Sequence, residues 1–331
     1  MVRPLPRHSI NEITNCVCAP RLRVTAVKSN AIHELSRTFS RIHQLFHLET
    51  LNLTFHPIKD NQVNSNDTVL LALQVSILGA LSASFKVRIP PNLTSFSLHN
   101  LRTSDISPLE SPPFQNFLTT LRCLHLFVLF DLSTDQNFLN SHWCKFWSTF
   151  CPRMILAPTH YSLTELTLHS DVFLGTFSGL SFTGLHFPHL CALSLRNVFL
   201  QPSVGVEAFI LRHATSLARL ELLACKLPAY DIHPFPPFDL YPPPPPSQYC
   251  WNIIWDRFAV ELTALVALNI EDPNCSYVSS CYMFIPFFDN TGQSRDATDF
   301  AALERFHAVV AARSEEMRGG ILRKERQCLT S

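Results

Sequence analysis

Leucine recurs in one fixed pattern in the middle of the chain. The pattern is L-x-x-L-x-L, followed by a further apolar residue five positions on. Three copies begin at Leu163, Leu190 and Leu217, so each starts 27 residues after the one before. Successive side chains of a strand point to opposite faces, so the last two leucines of each copy share one face and the residues between them face the other way. The pattern therefore predicts three short strands with a constant period.

One such strand cannot bury its leucines alone, but strands of successive repeats stacked in parallel build a continuous core. A short helix would return the chain, and Val206, Phe209 and Ile210 show helical spacing between Pro202 and His213. The period falls in the roughly 20–29 residues of leucine-rich repeats. We predict an α/β leucine-rich-repeat solenoid, a curved parallel sheet with helices on its convex side. An accidental match within another α/β fold is the alternative.

Less regular copies flank these three, which makes about seven irregular repeats. They start at Leu48, Leu93, Leu121 and Leu265. Apolar residues at helical spacing predict helices at 30–46, 68–81, 251–262 and 297–317. Three prolines predict a loop at 104–113, and an aromatic stripe at 135–152 indicates a buried helix.

These elements predict three regions. Residues 1–47 form an N-terminal capping segment and helix, 48–272 the repeat array, and 273–331 a C-terminal cap helix with a frayed tail. A Pro-rich insertion at 228–247 interrupts the array and contains five successive prolines. Proline excludes both helix and central strand there. The insertion is either a plain exposed loop or a ligand for an SH3- or WW-like domain.

Composition argues against several functions. Lys plus Arg and Asp plus Glu number 26 each, so we expect neither nucleic acid nor a membrane as partner. The chain has no window of 18 uninterrupted apolar residues, so we predict no transmembrane helix. The chain has only eight glycines and lacks nucleotide-binding loops and the G-x-S-x-G elbow, so we predict no cofactor, no metal and no enzyme activity. Eleven scattered cysteines without a signal peptide indicate reduced thiols of an intracellular protein, cytoplasmic or nuclear.

We predict that the residues between the leucines line the concave face of the sheet, which a protein partner would contact. Two arginines lie beside two glutamates on the neighbouring regular strands there, and such charges either pair with each other or contact a polar partner. Both possibilities remain open from the sequence. The predicted partner-binding residues are His125, Glu165, Thr167, His169, Ser194, Arg196, Arg219 and Glu221.

The runs SLTELTLHSDVF, FPHLCALSLRNVFLQPSVGVEAFILRHATSLARLELLACKL and ALERFHAVVAARSEE resemble the leucine-rich-repeat region of fungal F-box-type proteins. Cys225 matches the N/C position of the repeat, and the resemblance spans Leu48 to Ile270. An F-box itself is not evident, although Leu5 and Pro6 form its usual opening dipeptide. The resemblance implies a target-recognition subunit of a ubiquitin ligase, or a truncated relative, that joins a Skp-type adaptor if an F-box exists. The alternative is a stand-alone repeat scaffold unrelated to ubiquitin ligation.

Overall fold

The chain forms two compact units, which we call the N-unit (Met1–Leu129) and the C-unit (Phe130–Ser331). The structure is a computed structural model. It describes residues 29–55, 66–130, 142–175, 178–228, 250–271, 277–278 and 297–330. The predicted Pro-rich insertion, apart from Pro228, lies outside the described residues.

The N-unit alternates helices with parallel strands. Its elements are α1 (Ser29–Phe39), a 3-10 turn (Ile42–Gln44), β1 (Thr50–Thr54), α2 (Asn66–Val87), β2 (Ser95–Arg102), a 3-10 turn (Ser107–Glu110), α3 (Pro112–Leu118) and β3 (Cys123–Leu129). The strands pair in the order β1-β2-β3. Leu51 lies opposite Phe96, which lies opposite Leu124, so the predicted core positions share one face.

Phenylalanine side chains join the N-unit strands to its helices. The Phe96 ring lies 5.8 Å from that of Phe114 and 5.3 Å from that of Phe117, between ring centroids. The α2 residue Phe85 stacks on Phe117 at 4.3 Å. The sequence predicted only a loop where α3 begins, and this was wrong. Proline at the start of a helix removes an N–H that would have no partner there, so Pro112 starts α3 instead of preventing it.

The C-unit continues the alternation. Its elements are α4 (His142–Lys145), a π-helix (Phe146–Leu156), β4 (Glu165–Leu174), β5 (Ala192–Val198), α5 (Val206–Arg212), β6 (Arg219–Leu223), β7 (Leu227–Pro228), α6 (Trp251–Glu261), β8 (Ala267–Glu271), β9 (Tyr277–Val278) and α7 (Ala297–Thr330). Strands β4, β5, β6 and β8 pair in that order, and β7 pairs with β9. Leu166, Leu193, Leu220 and Leu268 align across the four strands, as the spacing predicted.

Equivalent hydrogen bonds recur along the main strands of both units. The backbone carbonyl of the second residue of a repeat accepts N–H bonds from the second and third residues of the next repeat. The acceptors are Glu49, Thr94, Thr164, Cys191 and Ala218. The described residues thus form an α/β protein with seven main parallel strands, three in the N-unit and four in the C-unit, beside the short parallel pair of β7 and β9.

The eighth residue of a repeat takes a left-handed backbone conformation. Asn100 and Asn197 have φ of 59° and 55°. Their side-chain amides donate to the carbonyls of Phe55 and Ser170, at 2.8 Å and 2.7 Å, each in the eighth position of the preceding repeat. Asparagine suits both tasks, because it tolerates this region and carries a short donor. The leucine spacing did not predict this role of asparagine.

Two helices exceed their predicted lengths. Helix α2 includes Val69–Val87, a segment long and apolar enough to cross a membrane by length and composition alone. In the N-unit this helix also carries Gln74, whose buried side chain exchanges two 3.0 Å hydrogen bonds with the backbone of Arg102. Helices in the core of a protein can have the same length and composition. Helix α7 continues past Gly319 and Gly320 to Thr330, where the sequence predicted a frayed tail.

Candidate functional site

A pocket of about 230 Å³ opens on the C-unit strands, on the face opposite the core leucines. We call this side of β4, β5 and β6 the polar face. Five of the eight predicted partner-binding residues line the pocket: Glu165, Thr167, Ser194, Arg219 and Glu221. The strand register brings them together, because side chains at equivalent positions of adjacent parallel strands are neighbours.

The pocket exists because the middle strand carries small side chains. Ala192 lies between Glu165 and Arg219 in one row of the register. In the next row Ser194 lies between Thr167 and Glu221. Charged side chains on β4 and β6 therefore surround the small side chains of β5, which form the floor of the pocket.

An ion pair crosses one end of this floor. The Arg219 Nη2 donates to Glu165 Oε1 at 2.7 Å, from β6 to β4, above the single methyl group of Ala192. The two side chains remain 48% and 32% exposed, so water screens the pair. The sequence left open whether these charges pair with each other or contact a partner, and Glu165 and Arg219 pair with each other.

Two other charges of the polar face have no such partner. Among the described residues, neither Arg196 nor Glu221 forms a salt bridge or a side-chain hydrogen bond. Arg196 is exposed and Glu221 is half-buried. These two groups offer the polar face one positive and one negative charge for an external partner.

Three predicted contact residues are largely buried, including Thr167 and Ser194 of the pocket lining. The His169 Nε2 and Ser194 Oγ lie 2.9 Å apart, and their residues are 7% and 8% exposed. Thr167 is 6% exposed. Ser194 lies on the middle strand, where side chains of both β4 and β6 cover it. The accessible part of the polar face is therefore formed by its charged residues.

The remaining predicted residue, His125, lies in the N-unit on β3, opposite Ser97. On the same face His99 stacks on Phe127, with ring centroids 4.2 Å apart and planes 17° apart. Burial lowers the pKa of His99, and His125 lowers it further. In the part of the chain that the structure describes, no group of three or more His, Cys, Asp or Glu side chains could hold a metal ion.

His213 is a buried histidine of the C-unit with two backbone partners. Its Nδ1 lies 2.7 Å from the Phe209 carbonyl, and its Nε2 accepts the Phe187 N–H at 3.0 Å. Burial lowers its pKa, the bond to Phe209 opposes this, and the nearby His186 and Arg212 lower it again. The sequence marked His213 only as the end of an apolar helix face. Its side chain joins the end of α5 to the segment that precedes β5.

Comparisons with known proteins assign no family. No protein-family model, curated protein or solved structure matches the chain. The resemblance to the repeat region of F-box-type proteins therefore stays a prediction.

Proposed function

We propose that this chain is a leucine-rich-repeat protein that binds another protein through the polar face of its C-unit. The 27-residue register of Leu166, Leu193 and Leu220 supports the repeat assignment. The recurring carbonyl acceptors support it further, because a solenoid gives equivalent residues equivalent partners.

The order of the strands favours this assignment over a doubly wound sheet. A doubly wound sheet reverses its strand order at a switch point, where its ligand binds. In each unit the main parallel strands instead follow the order of the chain, β1-β2-β3 and β4-β5-β6-β8. A stack of repeats produces this sequential order.

The observation that carries the binding proposal is a pair of unpartnered charges on the polar face: Glu221, which lines the pocket, and Arg196, which lies outside it. Arg196 and Glu221 are held on adjacent strands and do not neutralise each other. A partner with an acidic and a basic side chain at matching separation would satisfy both. Such complementarity contributes specificity and association rate more than affinity.

In its most specific form, the proposal is a target-recognition subunit of an F-box-type ubiquitin ligase, or a truncated relative of one. The polar face would recruit the target, and a Skp-type adaptor would bind through an F-box if one exists. The second candidate is a repeat scaffold that binds its partner without any ligase. Both are binding functions that require no cofactor, metal or catalytic residue.

The test is affinity purification of the full chain followed by mass spectrometry. The variant Arg196→Glu with Glu221→Lys reverses both free charges and keeps the net charge. Its matched control, Arg153→Glu with Glu304→Lys, reverses two exposed charges elsewhere in the C-unit. We expect the first variant alone to lose partners. An identical set of partners for both variants would contradict the proposal.

The adaptor separates the two candidates. If the chain is a ligase subunit, the wild type and both variants retain a Skp-type adaptor while the polar-face variant loses its targets. If no variant and no wild-type sample contains the adaptor, the ligase form is wrong and the scaffold form remains.

A further inference from the structure

A second pocket, of about 480 Å³, lies in the N-unit between α1 and β1. Its volume is within the roughly 300–1,000 Å³ of typical ligand sites. We call it the edge groove, and its relevant lining residues are Arg37, Arg41, Phe39, Ile42, Leu51 and Asn52. None of these residues was predicted to bind a partner.

Two arginines form one wall of the edge groove. Arg37 lies in the last turn of α1 and Arg41 lies two residues past its end, and both are exposed. Among the described residues, neither guanidinium has a salt bridge or hydrogen-bond partner. Glu34 also lines the groove, but its described ionic neighbour is His33, 3.9 Å away. Two unpaired guanidinium groups against one carboxylate favour an anionic ligand, since guanidinium binds carboxylate in a fork geometry.

The other side of the edge groove is apolar. Phe39, Ile42 and Leu51 are 4%, 6% and 2% exposed, and they belong to the core that ends here. Leu45, at the rim, is 41% exposed. We therefore expect a ligand of this groove to have apolar groups as well as a negative charge. A free inorganic anion has no apolar groups.

Strand β1 leaves backbone groups open beside this groove. Within the described residues it pairs only with β2. The Glu49 carbonyl and the Phe55 N–H both bond toward β2. Since successive residues of a parallel strand direct their backbone groups to alternate sides, the N–H and C=O groups of Thr50, Asn52 and Thr54 point away from β2. Such an edge is a template for one more strand.

We propose that the edge groove binds an extended, acidic segment of a partner protein as an added strand beside β1. Backbone hydrogen bonds to the β1 edge supply affinity, as in other strand-addition complexes. Alternate apolar side chains of the segment cover Leu51 and its neighbours. A carboxylate of the segment lies between Arg37 and Arg41 and selects acidic sequences.

The probe is a displayed library of random peptides, each long enough to form a strand of about eight residues. The full chain selects from it in parallel with Arg37→Glu/Arg41→Glu. A matched control, Arg153→Glu/Arg318→Glu, makes the same change in charge at two exposed sites of the C-unit. Circular dichroism establishes that all three proteins are folded.

We expect wild type and control to enrich peptides with Asp or Glu among alternating apolar residues. We expect the groove variant to bind these peptides about tenfold more weakly or worse, because charge-assisted hydrogen bonds exceed a decade of affinity. No enrichment, or enrichment unaffected by Arg37→Glu/Arg41→Glu, would overturn the proposal.

Backbone methylation tests the strand geometry separately. An enriched peptide methylated on the amides that face β1 should lose binding, while methylation of the intervening amides should be tolerated. Equal effects of the two methylation patterns would rule out the added strand.

Discussion

The strand faces opposite the core in the two units share one backbone plan and differ in chemistry. In the N-unit this face carries Ser97 and the stacked rings of His99 and Phe127. In the C-unit it carries the Arg219–Glu165 ion pair beside free charges. The hydrogen bonds between repeats are equivalent in both. The comparison indicates that core leucines and backbone bonds maintain the repeat, while outward residues are free to acquire a binding function.

The largest predicted effect on stability is that of truncating a core leucine. Leu193 is 1% exposed and lies between Leu166 and Leu220. Leu193→Ala should lower the free energy of unfolding of the C-unit by about 2–5 kcal/mol, through lost burial and the remaining cavity. All four tryptophans lie in the C-unit, so urea denaturation followed by tryptophan fluorescence reports its unfolding.

The control for this prediction is Arg196→Ala on the polar face of the same strand. It should change the free energy of unfolding by no more than about 0.5 kcal/mol. Similar losses for both variants would contradict the division between the core and the polar face.

Acid should weaken the C-unit through His213. Its pKa in the folded protein is below the ordinary value of 6.5, so the unfolded chain takes up the proton first as pH falls. The stabilising contribution is complete above pH 6.5 and is lost as pH falls below it. Protonation also deprives the buried Phe187 N–H of its acceptor, which costs up to about 1–3 kcal/mol.

The measurement is urea denaturation at neutral and mildly acidic pH, compared between wild type and His213→Gln. Glutamine keeps an acceptor but does not titrate, so this variant should lose part of the pH dependence. An unchanged pH dependence in His213→Gln would show that another group controls it.

The eighth position of the repeat gives a paired prediction of intermediate size. Asn197→Ala should destabilise the C-unit by about 1–2 kcal/mol, because it removes the bond to Ser170 and strains the backbone. Ala224 has φ of 49° at the equivalent position of the next repeat. Ala224→Asn should therefore stabilise by about 0.5–1 kcal/mol. Denaturation curves that move in the same direction for both variants would refute this account.

The smallest predicted effect is that of the exposed Arg219–Glu165 pair. A double-mutant cycle with Arg219→Ala and Glu165→Ala should give a coupling free energy of about 0–1 kcal/mol that decreases in high salt. A larger, salt-independent coupling would show that this pair contributes to the stability of the fold, and that it is not available to a partner of the polar face.

The strand register could be predicted from the sequence, and the fate of individual side chains could not. Leucine spacing determined which residues of β4, β5 and β6 face the core, because the strand period is two. The same spacing does not show that Arg219 reaches across Ala192, since that depends on the small size of one residue on the strand between. The leucine spacing also did not indicate that His169 is buried, or that the chain forms two units with a boundary after Leu129.

Photo-crosslinking from the polar face tests the central claim most directly. A photoreactive amino acid at position 196 of the full chain, compared with one at position 153, reports which C-unit surface touches a protein partner. We predict a crosslinked protein from position 196 that is absent from position 153 and disappears with Glu221→Lys. Equal crosslinking from both positions, or none from position 196, would contradict binding through the polar face.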